Sequence, residues 1–240
     1  MKVLLFSYGC HFNICIGLLL EFISLNLEKG NEIYIVKCDS DLEYCSFNPK
    51  NINRTCEKGC SNFFDKCIKL VDIPPENIIE FPLKNISFEK LPKSFKNTDE
   101  LINYTIDGVE IGIGAASTLI TEFSDQNFDT LKYKDDVYRA LKTSYFVHIN
   151  AIKIFDEIKP DFVYLFNPRI LEVRPILNIC KNNNVPFHSY IFTSDYNKYV
   201  LFENTYIHDL NYIKNHINEL WEKASDNKED IGKKFFEKQQ

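Results

Sequence analysis

The sequence predicts an α/β fold with a doubly wound, mostly parallel sheet, and three observations carry that prediction. KVLLFSY near the amino terminus and EIYIVKC at 32–38 are short apolar runs of strand formers, and the segment between them has helical periodicity. The same strand-helix-strand order returns late in the chain as DFVYLFN, a helix over about 171–182, and VPFHSYIF. No linker rich in Pro, Gly or Ser and no internal repeat divides the chain. Residues 1–225 therefore read as one domain, and 226–240 as a helical tail or the start of a linker.

In the first helix Ile14, Leu18, Phe22 and Leu25 recur at helical spacing, and Gly30 stops it. A β-α-β unit within one sheet implies a right-handed crossover and parallel strands. The first turn, YGCHFNICIG, lacks the GxGxxG phosphate fingerprint, so no dinucleotide is assigned to it. Residues 38–60 read as a cysteine-rich loop after strand two, SNFFDKCIKLV as a short helix, and IIEFPL as a third strand closed by Pro82. Residues 84–104 look irregular. IDGVEIGIGAASTLITEF, 106–123, has glycines at 108, 112 and 114 before a helical start. It is either a loop that brings backbone close to a ligand or another element, or a tight turn between core segments. A long helix runs from Tyr133 to Ile158, with Val137, Leu141, Tyr145, His148, Ile152 and Phe155 along one side, and Lys159-Pro160 stops it. HDLNYIKNHINELWEKA opens a terminal helical run that breaks off in mid-pattern near Phe235 and Phe236. The total is about five strands with helices between them.

Composition narrows the function classes. A hydrophobic content of 45 % with 14 % aromatics is ample for a packed core. The 28 basic and 34 acidic residues are interspersed and give a net charge of −6, which argues against a nucleic-acid partner. No apolar run is long enough to span a bilayer, so membrane contact is expected to be peripheral at most. The opening MKVLLFSYGC is broken by Ser7, Tyr8 and Gly9 and reads as a buried strand, not a signal sequence, which places the chain in the cytoplasm.

In open α/β sheets ligands gather beyond the carboxyl ends of parallel strands, so residues just after each strand are the site candidates. After strand one come Gly9, Cys10, His11 and Asn13; after DFVYLF come Asn167, Pro168 and Arg169, with Glu172 and Arg174 on the next helix. Arg169 offers a planar donor fork for carboxylate or phosphate. The plainer alternative is a salt bridge from Arg169 or Arg174 to Glu172. His11 is a base, a ligand or a hydrogen-bonded structural group.

IDGVEIGIGAASTLI, KPDFVYLFNPR and ILEVRPILNICKNNNVPF resemble the amino-terminal half of bacterial GT-B glycosyltransferase-like proteins of surface-polysaccharide and capsule biosynthesis. The tail ending GKKFFEKQ is similar to the segment that joins the two halves of such proteins. The strand-end motif of that family is usually Asn-Gly-Arg, whereas here Asn167-Pro168-Arg169 keeps both side chains and replaces the glycine. The resemblance extends to the first-turn Asn13 and to cysteines after strand two. It implies a Rossmann-like acceptor-side domain binding a sugar or glycan, with Gly9, Asn13, Gly108, Asn167, Arg169, Glu172 and Arg174 at the substrate. It also implies a nucleotide-sugar donor held by a second domain or subunit outside these residues, so that this half alone does not turn over. Inverting transfer needs a general base at the acceptor hydroxyl, and His11 and Asp107 have the chemistry.

The cysteines are not explained by that activity, because GT-B transfer needs no metal. Cys38, Cys45, Cys56 and Cys60 are separated by six, ten and three residues, which matches no common zinc knuckle. A four-thiolate zinc site or an iron–sulfur cluster accepts irregular spacing if the loop folds around it, with Cys67 as a substitute ligand. Free thiols and disulfides are the other readings, and a reducing compartment disfavours the disulfides. A non-catalytic, metal- or cluster-bearing α/β module that binds a partner is the alternative function.

Overall fold

A computed structural model describes residues 1–38, 40–193, 195 and 198–237. Six strands form one sheet: β1 (Lys2–Ser7), β2 (Glu32–Lys37), β3 (Ile78–Glu80), β4 (Phe162–Phe166), β5 (Phe187–Phe192) and β6 (Tyr199–Glu203). Their order is β3-β2-β1-β4-β5-β6, and every pairing is parallel except β5 with β6. The helices are α1 (Asn13–Glu28), α2 (Asn62–Cys67), α3 (Thr98–Ile102), α4 (Ile111–Phe123), α5 (Lys134–Ile158), α6 (Arg174–Asn182), α7 (Leu210–Lys223) and α8 (Lys228–Glu237). The sheet is mostly parallel with helices on both faces, as a Rossmann-like fold requires.

Alternation along β1 builds the two faces. Val3 and Leu5 point to one side, where they pack with Ile16, Leu19, Phe22 and Ile23 of α1 and with Phe64 of α2. Leu4 and Phe6 point to the other, against Val147, Ile154 and Phe155 of α5 and Ile176 and Leu177 of α6. A strand buried on both faces reads as a continuous apolar run, which is why KVLLF shows no polar alternation. Burying each such aliphatic side chain contributes roughly 1.5–3 kcal/mol before the entropy of ordering it is subtracted. A further apolar layer joins Ile111, Ala115 and Leu119 of α4 to Val137, Ala140 and Leu141 of α5. Gly112 lets that layer close: a Cβ there would stand 1.9 Å from the Leu101 carbonyl oxygen.

Several expectations change in detail. The buried stripe of α1 is Cys15, Ile16, Leu18, Leu19, Phe22, Ile23 and Asn26, while Leu25 faces solvent. Ile152 likewise lies on the exposed side of α5. The segment expected to be irregular contains α3, whose amino end is capped by Asn97 accepting from the Glu100 amide. The second half of the cysteine segment is not a loop: Arg54–Ser61 winds as a π-helical turn that runs into α2. β6 adds an antiparallel edge that the sequence reading lacked. No residue of α7 or α8 is buried. Among the described residues no helix is long and apolar enough to cross a membrane.

Candidate ligand groove and cysteine cavity

Strand order reverses between β1 and β4, and the carboxyl ends of β1, β2, β4 and β5 therefore share one edge of the sheet. Crevices at such a reversal are the ligand sites of open α/β sheets. Two adjoining hollows occupy this edge. One, of about 200 Å³, is lined by Ser46, Thr118, Thr121, Glu122, Asn167 and Arg169 among others. The second, of about 560 Å³, is lined by Phe12, Asn13, Ile14 and Cys15 at the start of α1. Ser46, Phe47 and Phe192 line both, so the two form one groove from the amino end of α1 to Arg169.

The residues after β4 carry the polar chemistry of this groove. Asn167 sits at φ 39° immediately before Pro168, a left-handed backbone that asparagine tolerates better than most residues, and such strain clusters at functional sites. Its amide nitrogen donates to the Tyr190 carbonyl, 2.9 Å, which ties the turn to β5. The Asn167 Oδ1 and the Arg169 Nε are both buried and have no hydrogen-bond partner among the described residues. Arg169 donates from Nη1 to the Thr121 hydroxyl at 3.2 Å and makes no ion pair among the described residues. Arg139 and Arg174, by contrast, are paired with Asp136 and Glu110. Leaving buried polar atoms without partners costs about 1–3 kcal/mol each, a cost that a bound polar ligand would relieve.

Glu172 and Arg174 serve the fold next to the groove. Glu172 is fully buried and accepts from the Ser46 amide at 2.6 Å and the Ser46 hydroxyl at 2.9 Å. Burial pushes its carboxyl above the usual range, against the Ser46 amide that favours the charged form. Arg174 reaches Glu110 at 2.6 Å and the Tyr206 hydroxyl at 3.0 Å, which joins α6 to the start of α4. The alternative of a salt bridge from Arg169 or Arg174 to Glu172 is not seen among the described residues, and Arg174 pairs with Glu110 instead. Asp107 and Gly108, at φ 51° and 78°, are the two central residues of a tight turn closed by mutual Ile106 and Val109 hydrogen bonds. They line neither part of the groove.

All four expected cysteine ligands line a separate cavity of about 20 Å³ beneath the groove wall. Cys38 follows β2, Cys45 lies in a turn bridged to Asn48, and Cys56 and Cys60 are one π-helical turn apart. Each sulfur accepts from an N–H group. Ser40 donates to Cys38 and Phe47 to Cys45 through their amides, Asn48 Nδ2 donates to Cys56 at 3.1 Å, and the Cys10 and His11 amides donate to Cys60. The Cys10 thiol bond to Cys60 is the chief cause that lowers the Cys60 thiol, and it raises Cys10 in turn. Burial raises Cys38 and Cys45. Among the described residues no three His, Cys, Asp or Glu side chains stand in ion-holding geometry. Cys67 packs instead among the apolar residues around α1 and α2.

His11 belongs to the cysteine cavity and not to the groove. Its ring lies 4.1 Å from that of Phe12, its side chain bonds to Cys60, and its buried Nδ1 lacks a partner among the described residues. Gly9, at φ 65°, lets the Phe47 ring lie against the first turn, since a Cβ there would meet that ring at 2.7 Å. Phe47 lines the cavity and both parts of the groove.

Ser46, Phe47, Thr121 and Glu122 are not among the candidates that the sequence offers. They reach the site through contacts far apart in sequence, as Ser46 does with Glu172 across 126 positions. No family model matches the chain, and no curated protein is significantly similar to it.

Proposed function

We propose that the chain is the acceptor-binding half of a glycosyltransferase-type protein of surface-carbohydrate synthesis, and that the groove is its acceptor cleft. The observation that carries this reading is the pair of buried polar atoms without a partner among the described residues, Asn167 Oδ1 and Arg169 Nε, at the reversal of strand order. An amide oxygen accepts from a sugar hydroxyl, and a guanidinium without a carboxylate partner suits an anionic group. The acceptor is therefore a glycan bearing a uronic or other acidic sugar, or a phosphorylated carrier. The resemblance of KPDFVYLFNPR and the glycine-rich segment to GT-B acceptor halves supports the same reading.

His11 faces Cys60 and Asp107 lies in its own turn, so the base role passes to Glu122, the carboxylate that lines the groove beside Arg169. The donor nucleotide sugar is assigned to a second domain or subunit.

Binding of the purified chain to a panel of neutral and acidic oligosaccharides, measured by calorimetry or saturation-transfer NMR, tests the proposal. Acidic glycans are expected to bind, and Arg169→Ala is expected to weaken them about tenfold or more, the loss of one charge-assisted hydrogen-bonded contact. The thermal midpoint of that variant should stay close to the parent's. Preference for free nucleotide sugars, or equal affinity in Arg169→Ala, would sink the acceptor reading.

A further inference from the structure

We infer that Cys38, Cys45, Cys56 and Cys60 are the four ligands of a single structural zinc ion. The four residues come from three separate pieces of chain and line one cavity of about 20 Å³. That space takes about one water-sized occupant, which suits a single ion. Zinc with four thiolates needs a tetrahedral set at about 2.3 Å and no particular sequence spacing beyond what the chain can span. In the present side-chain rotamers the set is not closed. Binding an ion requires the thiols to turn toward the centre of the cavity that all four residues line.

The second argument is what surrounds the sulfurs. All four accept from an N–H: Ser40 for Cys38, Phe47 for Cys45, Asn48 for Cys56, and Cys10 with His11 for Cys60. Neutral thiols have little need of such donors, since sulfur is a weak acceptor. Thiolates on a metal do, because outer N–H groups spread their charge and fix their direction. In two of the four the donor is the amide two residues after the cysteine, so the backbone itself curls around the sulfur. On binding, each thiol releases its proton to solvent as its sulfur bonds to the ion, and the four thiolates with one divalent cation leave a charge of two minus that these donors offset. Cys10 is a neighbour of the set through Cys60, and Cys67 is outside it.

The role is structural. Among the described residues, 40–53 form a long connection with little regular structure before the π-helical turn. The ion would fasten the end of β2, the Cys45–Asn48 turn and the π-helical turn to one point.

The test is elemental analysis of the full chain, purified anaerobically without chelator, with cobalt exchange as the second measurement. About one zinc per chain is expected, with no iron and no inorganic sulfide. The cobalt form should show the sulfur-to-metal charge transfer and strong visible bands of a tetrahedral thiolate site. Cys56→Ser and Cys60→Ser should lose most of the metal, and Cys67→Ser should keep it. If the ligand variants fail to fold, the cobalt spectrum of the parent chain decides. A chain that takes up neither zinc nor cobalt overturns the inference, as does full metal content in both serine variants. Iron with stoichiometric sulfide also overturns it, in favour of a cluster.

Discussion

Glu172 is a carboxyl placed where water cannot reach, and its role is to satisfy the Ser46 amide and hydroxyl. Glu172→Ala would leave that amide buried and unbonded, at a cost of about 1–3 kcal/mol. Glu172→Gln keeps an acceptor oxygen and removes a charge that burial opposes, so it should cost less than about 1 kcal/mol. Urea denaturation of the two variants checks this, and equal losses would show that the charge itself matters. His148 gives a pH dependence of definite sign. It is buried, its Nδ1 has no partner among the described residues, and burial lowers its pKa while Asp107 pulls it back in part. The unfolded imidazole titrates near its ordinary value of about 6.5. A lowered folded value means the contribution to stability is present above that pH and is lost as pH falls through the folded pKa. His148→Gln should therefore narrow the difference in denaturation midpoint between pH 7.5 and 5.5, by at most about 1.4 kcal/mol per pH unit. His188 and His208 are lowered by burial too and keep some of the slope in the variant.

Elements differ in how plainly the sequence announces them. β1, α1 and β2 were legible because the apolar period switches from continuous to helical and back within thirty-seven residues. β6 was not, since YVLFE lies at an edge with its side chains largely exposed and its identity depends on pairing with β5. The π-helical turn was hidden for another reason: no residue of RTCEKGCS is buried, and its Cys60 sulfur is held by the Cys10 and His11 amides from the distant first turn. At the site, Asn167 and Arg169 could be found from their place after a strand, whereas the pairing of Arg174 with Glu110, 64 positions away, could not. The carboxy-terminal helices stand apart from the packed elements. α7 exposes Leu210, Ile217, Leu220 and Trp221, and neither α7 nor α8 buries a residue. Removing residues 210–240 should therefore change the thermal midpoint by no more than about 4 °C, the upper end of the shift that roughly 1 kcal/mol gives in a domain of this size. Differential scanning calorimetry reads that directly, and a larger fall would mean these helices are docked.

At the scale of the whole molecule, two cavities share one wall. The Phe47 ring borders the cysteine cavity on one side and the groove on the other, held between the first turn at Gly9 and the ring of Phe166, 5.9 Å away. A shared wall gives the two spaces a route to thermodynamic linkage through Phe47. Any displacement of Phe47 that accompanies filling of one space alters the free energy of filling the other, and the factor is the same in both directions. An ion held by thiols would then act on the groove without touching its contents, by fixing the position of one aromatic ring.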